Sequence, residues 1–330
     1  MVAAPTVVDL DGDLAARLQE IPAAAGVGQI LGPEGRSLVI GRPAHLRRWA
    51  ASHLGAGKPR RPGSRPPTDL RPVARTLQFT VTTSGLQQRL VFERLMARYV
   101  APSARRDLKP AAWLHLDARD RFPRVTARSL AGDPAALFGP FRNRPAAARA
   151  VAALHKLFPL RPCDFVFEPA PDLALGLGCV YAQVRTCAAP CLSRVTDEAY
   201  RALAAQAARF LASPAARPED SRTWIPACVS SADARALAVE HGRDGIEIYP
   251  VVAGTVLEER ATTVPAERLE DALQNLNWTR TDGTGHDWDW LASWIFTPRR
   301  AGRYIVLDGT EDSSAVVRRE IARAPDMNAL

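Results

Sequence analysis

Leu154-His155-Lys156-Leu157-Phe158-Pro159-Leu160-Arg161-Pro162-Cys163 opens the stretch on which the reading of this chain turns. Cys179-Val180-Tyr181-Ala182-Gln183, Cys187-Ala188-Ala189-Pro190-Cys191 and Asp197-Glu198-Ala199-Tyr200 complete it. Four of the five cysteines fall within 29 residues, with gaps of fifteen, seven and three between them. The fifth, Cys228, stands apart and is expected to be a bystander. The first fourteen residues show no basic region followed by an apolar run, so a secretory signal is not expected. Four clustered thiols in an intracellular chain point to a metal or cluster site rather than a disulfide framework. Thiolates bind zinc or iron–sulfur clusters, and spacing alone does not choose between them.

Working outward, a helix from about Pro145 to Leu157 leads into the cysteines, and another from about Asp197 to Leu211 leads out. A strand pair is expected at Trp113 to Leu116 and Arg124 to Ala127. Toward the N-terminus, Val27 to Leu31 and Ser37 to Ile40 are short apolar segments joined by the turn-rich Gly32-Pro33-Glu34-Gly35, a hairpin signal. Pro43 suits the first turn of the helix that follows. Leu46, Trp49, Ala50, His53 and Leu54 share one face of it, and Arg47 and Arg48 fall away from that face. Residues 1–24 look like a polar lead-in with a short helix at Leu14 to Gln19. Leu77 to Thr82 alternate like a strand, and Ser84 can cap a helix running to about Tyr99.

Beyond Ser213 the chain turns polar and Pro-containing. Strands are then expected near Gly245 to Val252, Thr255 to Ala261 and Tyr304 to Leu307, and helices near Ala266 to Leu276 and Trp288 to Phe296. Trp288, Trp290 and Trp294 suit a base-stacking platform, but helical spacing favours a core role for Trp290 and Trp294. The reading is an α/β chain of the α+β kind in three units, 1–105, 106–213 and 214–330: a small antiparallel sheet flanked by helices, a mainly helical four-cysteine module with its strand pair, and a C-terminal α/β domain of unknown role. No apolar run approaches the roughly 18 residues of a membrane span, and a cytoplasmic location is expected.

The formal charge of +8 is unevenly spread. Residues 1–160 carry 25 basic and 11 acidic groups, while residues 161–330 carry 18 and 24. A polyanion partner for the first half follows, with an Arg-rich composition as the plainer alternative. Residues 56–72 form a Pro-rich basic loop. Lys58, Arg60, Arg61 and Arg65 there, with Arg42 and Arg47, are the candidate DNA contacts, to backbone rather than to bases.

The cysteine stretch, preceded by Phe138-Gly139-Pro140-Phe141, resembles the UvrC family of nucleotide excision repair nucleases. That family has a Tyr/Phe-Gly-Pro-Tyr/Phe element, a helix ending in Phe-Pro-Leu/Ile-Arg-x-Cys, and this cysteine order. The resemblance covers about residues 25–213. It implies a [4Fe–4S] cluster on Cys163, Cys179, Cys187 and Cys191, with zinc the alternative. It also implies damaged duplex DNA as partner, together with UvrA- and UvrB-type repair proteins. No UvrB-binding helical pair, second nuclease domain or helix-hairpin-helix segment is recognised. In length and order the chain resembles the short Cho-type homologues, which incise 3′ to the lesion.

The N-terminal layout resembles a GIY-YIG nuclease domain with a degenerate signature. Gly26-Val27-Gly28 falls on the first triplet and Val39-Ile40-Gly41 on the second, so both signature tyrosines are replaced, by Gly28 and Val39. The family arginine falls on Trp49, with Arg48 beside it, and the family asparagine on Arg105. Leu90-Val91-Phe92-Glu93 matches the motif of the metal-binding glutamate, which makes Glu93 the candidate ligand of Mg²⁺ or Mn²⁺. A surface-edge glutamate paired with an arginine is the alternative. Phosphodiester hydrolysis needs an activated water and a cation on the phosphate, and His45, Arg42 and Arg48 are the local substitutes. Two expectations follow: a Cho-like incising protein, or an inactive DNA-binding adaptor derived from one.

Overall fold

A computed structural model of the chain describes residues 4–55, 69–105, 111–129, 137–173, 179–212, 235–280, 286–297, 302–307 and 313–322. Its architecture is mixed: three antiparallel sheets, each flanked by helices.

The first sheet has the order β1-β4-β2-β3, formed by β1 (Thr6–Asp9), β2 (Gly26–Leu31), β3 (Ser37–Gly41) and β4 (Thr76–Val81). The hairpin β2–β3 is where the turn signal puts it. Strand β1 forms where a lead-in was expected, because a four-residue strand with one buried residue, Val8, carries little pattern. Helix α1 (Leu14–Glu20) is capped by Asp13, whose carboxylate accepts the Ala15 N–H at 2.9 Å. Helix α2 (Leu46–His53) starts with His45 as N-cap, so Pro43 lies before the helix rather than in its first turn. Leu18, Ile21, Ile30, Leu46, Trp49, Ala50, Leu77 and Phe79 make one core between α1, α2 and one face of the sheet. Helix α3 (Gly85–Tyr99) is capped by Ser84, which accepts the Gln87 N–H at 3.0 Å.

The second sheet, β6-β5-β7, comprises β5 (Ala112–Leu116), β6 (Val125–Ser129) and β7 (Leu137–Phe141). The Phe-Gly-Pro-Phe element is thus a strand. Helix α4 (Arg144–Leu157) has Asn143 as N-cap and Pro145 in its first turn. The short α5 (Val180–Gln183) and the long α6 (Asp197–Ala212) follow. Leu114, Phe141, Ala147, Leu154, Leu160, Tyr200 and Ala207 join sheet and helices in one core.

The third sheet has the order β10-β9-β8-β12, with β11 also on β9. Its strands are β8 (Arg235–Gly242), β9 (Gly245–Val252), β10 (Thr255–Val256), β11 (Thr262–Val264) and β12 (Arg303–Leu307). A single strand over Thr255 to Ala261 does not form. The chain pairs with β9 at Val251 and Val252, turns through Glu258–Arg260, and pairs again at Ile246 to Ile248. Pro250 lies between the two paired stretches and lacks an N–H, which interrupts a ladder. Similarly, Ala266 to Leu276 is a 3₁₀ turn at Ala266–Arg268 followed by α7 (Leu269–Gln274). Helix α7 and α9 (Ser313–Ala322) cover the face bearing Leu237, Val239, Ile246 and Ile248.

The opposite face of that sheet packs on α8 (Trp288–Ile295) and on α3. Trp288, Trp290 and Trp294 are 2–8% exposed. They lie in a core with Leu86, Leu90, Trp113 and Leu137, so they are core residues and not a base-stacking platform. Among the described residues no helix is long and apolar enough to cross a membrane.

Candidate functional site

In the β2–β3 register Gly28 lies opposite Gly41. Side chains alternate along a strand, and α2 packs on the face to which both glycines point. The Trp49 ring lies directly on the pair. A Cβ on Gly41 would come within 2.6 Å of the indole Nε1, and one on Gly28 would be closer still to the ring. Trp49 is 7% exposed and belongs to the sheet's core. The three positions are therefore coupled: the Trp49 ring fills the space that side chains at positions 28 and 41 would take.

Glu93 is 2% exposed. Its Oε1 lies 2.7 Å from Arg89 Nε, and its Oε2 pairs with Arg105. Both guanidiniums are themselves largely buried. Helical spacing accounts for Arg89, one turn away. Arg105 arrives from the segment after α3. A carboxylate buried with each oxygen against a guanidinium is already charge-neutralised and closed off from a hydrated hard cation. No hydrogen bond or ion pair among the described residues links Glu93 to His45 or Arg48.

The other candidates are dispersed. His45 is exposed at the N-cap of α2 and makes no capping bond there. Arg48 is exposed. Arg47 is a structural tie, donating to the Ile21 carbonyl at 2.7 Å and the Gln19 carbonyl at 3.2 Å. Arg42 is exposed, with its guanidinium 5.6 Å from the centre of the Phe92 ring. Lys58, Arg60, Arg61 and Arg65 lie outside the described residues, as does Cys228.

The cysteine module is held by two residues of the quoted motifs. Tyr200 is fully buried; its hydroxyl donates to the Pro123 carbonyl at 3.0 Å and accepts the Arg161 N–H at 2.7 Å. The Arg161 side chain donates to the carbonyls of Phe122 at 2.7 Å and Phe165 at 2.9 Å, and to Asp120 at 3.1 Å. These bonds fix the backbone on both sides of Cys163. Ala188 N–H reaches the Pro159 carbonyl at 2.7 Å, and Ala170 N–H the Cys191 carbonyl at 3.0 Å, which draws the 187–191 loop onto the same segment. The sequence shows Arg161 and Tyr200 as pattern only; their hydrogen-bonding role is a tertiary fact.

Cys187 and Cys191 are buried, and Cys163 and Cys179 are half-buried. Burial pushes the Cys187 thiol up to about 11, the Ala189 N–H works against that, and the three other cysteines add to it. Cys191 is raised by burial and then by Cys179 and Cys163. The neighbouring cysteines thus add to the cost of charging Cys187 and Cys191, a conflict that a bound cation resolves. Ala189 donates its N–H to the Cys187 sulfur at 3.3 Å. Ala189 and Ser193 both take left-handed backbone angles, φ +53° and +52°. Such angles cost a non-glycine residue roughly 1–2 kcal/mol and mark a loop held by its surroundings. Among the described residues, no three His, Cys, Asp or Glu side chains are placed to hold a single ion. In donor chemistry the site fits a thiolate-bound centre; in convergence it falls short of a one-metal site.

Fold and site together define an α+β chain of three antiparallel sheets, with four clustered thiols following the second. Residues 111–210 match the family model for the UvrC/Cho excinuclease middle domain. UvrABC system protein C of Geobacter metallireducens is 31% identical over 200 residues, 59% of this chain and 31% of that protein. The Aromatoleum aromaticum protein is 30% identical over 224 residues, 66% of this chain and 35% of its own length. The chain is a relative of the UvrC family. It spans about a third of the length of the curated relatives it matches. No solved structure matches it.

Proposed function

We propose that this chain is a DNA-binding adaptor of nucleotide excision repair whose GIY-YIG-derived unit no longer cuts. The observation that carries this reading is the filled site. Trp49 occupies the space above Gly28 and Gly41, and Glu93 is neutralised by Arg89 and Arg105. Water activation, phosphate charge stabilisation and metal binding each lose their group at once. DNA binding is supported by the excess of positive charge in residues 1–160 and by the relation to UvrC proteins. UvrA- and UvrB-type proteins are the expected recruiting partners.

Cys163, Cys179, Cys187 and Cys191 hold a [4Fe–4S] cluster in this reading. Such a cluster takes one thiolate per iron, so it asks less convergence than a single zinc ion roughly 2.3 Å from every sulfur. Its contribution here is structural, tying the loop 163–191 to α4 and α6.

The test is incubation of purified protein with nicked, bubble and damage-bearing duplexes, with Mg²⁺ or Mn²⁺, with and without UvrA and UvrB. Salt-sensitive binding without incision is the expected result. Metal-dependent nicking that disappears in Glu93→Gln would overturn the adaptor reading in favour of a Cho-like incision enzyme. Anaerobically purified protein is expected to be brown and to contain iron and sulfide. One zinc per chain and no iron would replace the cluster with a zinc site.

A further inference from the structure

The β6-β5-β7 sheet commits one face to the core: Ala112, Leu114, Leu116 and Val125 point toward α4 and α6. Alternation sends Trp113, His115, Thr126 and Arg128 to the other face. The Trp113 end of that face is covered by Trp288, with ring centroids 5.1 Å apart. The far end opens into a pocket of about 180 Å³ lined by His115, Asp117, Asp120, Arg124, Thr126 and Arg128. His115 and Thr126 lie directly opposite each other in the strand register.

The charges of this pocket do not cancel among themselves. Asp117 is already engaged by Arg119, through its N–H at 3.0 Å and its Nε at 3.1 Å. Asp120 accepts from Arg161 at 3.1 Å and from the Phe122 N–H at 3.1 Å. Each carboxylate thus comes with a donor from outside the lining. Arg124 is half-buried and, among the described residues, has no hydrogen bond or ion pair. Arg128 rests its Nε on the neutral Thr126 hydroxyl at 3.2 Å. Among the described residues, the two guanidiniums that line the cavity are therefore not paired with either of its carboxylates. None of the Arg124 side-chain nitrogens is sealed from solvent, so an incoming anion can reach them. The Thr126 hydroxyl, which accepts from Arg128, still has its own proton to donate.

We propose that this pocket holds a backbone phosphate of bound DNA, with Arg124 and Arg128 supplying the charge and Thr126 a hydrogen bond. Guanidinium forks match phosphate oxygens in shape as well as charge. The lining is polar or charged throughout and offers no apolar wall for a base, and its one ring, the His115 imidazole, is itself buried at 9% exposure, which favours a phosphodiester over a free nucleotide. The inference rests on the DNA-binding reading above and gives it a place on the middle domain.

The test uses the full chain and a fluorescent bubble duplex, titrated across salt. The variant Arg124→Gln, Arg128→Gln is expected to bind more weakly, with the log–log salt slope reduced by about one to two units. The single variant Arg128→Gln, at an exposed residue, is expected to lose about one unit. Arg17→Gln, at a remote surface, is expected to keep the wild-type slope. If wild type binds DNA and both variants keep its slope, the pocket assignment fails while the DNA-binding reading stands. If wild type does not bind at low salt, both fail. Free phosphate is the remaining occupant. Stabilisation of wild type alone by inorganic phosphate, with an unchanged DNA slope in the variants, would overturn the DNA assignment.

Discussion

At the residue scale, Trp49 and the two glycines beneath it behave as one unit. Gly28→Ala puts a methyl group into the indole ring, so a loss of about 1–3 kcal/mol is expected from overpacking. Trp49→Ala is expected to cost about 3–5 kcal/mol, since it empties a core site. The double variant should lose less than the sum of the two, because the methyl then partly fills the hole. Urea unfolding of the four proteins measures this, and strict additivity would show that the ring and Gly28 do not meet. Glu93 gives a second residue-scale test. Arg105→Ala leaves a buried carboxylate with one partner in place of two, and about 3 kcal/mol of destabilisation is expected from an incompletely paired buried charge. If Glu93 were instead a solvent-facing metal ligand, the change would leave stability nearly untouched.

At the scale of elements, the chain holds its helices in place with single polar groups that reach segments distant in sequence. Tyr200→Phe removes the hydroxyl that joins α6 to the Pro123 carbonyl and the Arg161 N–H. A loss of about 1–3 kcal/mol is expected from buried groups left unpaired, along with a lower iron content per chain in anaerobic preparations. Glu240 shows the same logic with a charge. It lies directly across from Glu247 in the β8–β9 register. Its carboxylate accepts the N–H groups of Gly85 at 3.3 Å and Leu86 at 2.5 Å, at the start of α3. Burial raises its pKa, the two N–H groups oppose the rise, and Glu247 adds to it. A carboxyl raised in the folded state binds its proton more tightly there than in the unfolded chain. Its contribution is therefore greatest at pH below the ordinary value of 4.5 and fades as pH climbs through the elevated one. Melting temperatures of wild type and Glu240→Gln from pH 4 to 8 should show the wild-type advantage shrinking with pH. An advantage that grows with pH would reverse the assignment. Much at this scale was legible beforehand. Ser84, the turn Gly32-Pro33-Glu34-Gly35 and the apolar faces of α2, α4 and α6 carry local signals that survive folding. Strand β8 was not legible, because Ala236 to Glu240 are buried without a break, and a strand covered on both faces shows no alternation. In the candidate site, the replaced tyrosines and arginine could be read from position alone. For Glu93 only a surface-edge carboxylate beside an unnamed arginine could be entertained as an alternative; its burial and its pairing with Arg105, like the placing of Arg124 at the pocket, depend on what the fold brings near.

At the scale of the whole molecule, the three units are continuous in packing. Helix α3 follows the first sheet in sequence, yet its Leu86 and Leu90 lie in a core with Trp113 and Leu137 of the middle unit and with Ala236, Tyr249, Trp288 and Trp290 of the C-terminal one. Polar contacts reinforce that junction. Thr83 and Ser84 donate to Glu247, the latter at 2.6 Å. Arg94 bridges to Asp287 at 2.6 Å and to Glu258 at 3.1 Å, and Asp287 in turn accepts from Trp290 and from the Val256 N–H. The strands after residue 234 thus grip the helix on which a nuclease of this layout would carry its metal ligand. A chain ending at residue 212 would keep the whole stretch matched to the UvrC/Cho middle domain but lose this cover. Leu86, Leu90, Trp113 and Leu137 would be exposed at about 1.5–3 kcal/mol for each large side chain. The sum approaches the entire stability of an ordinary domain. Such a chain is therefore expected to be aggregated or unfolded at 25 °C, with native spectra restored only when residues 213–330 are present. A soluble, cooperatively melting 1–212 fragment would show that the C-terminal unit is an appendage, and that the shared core contributes far less than its burial implies.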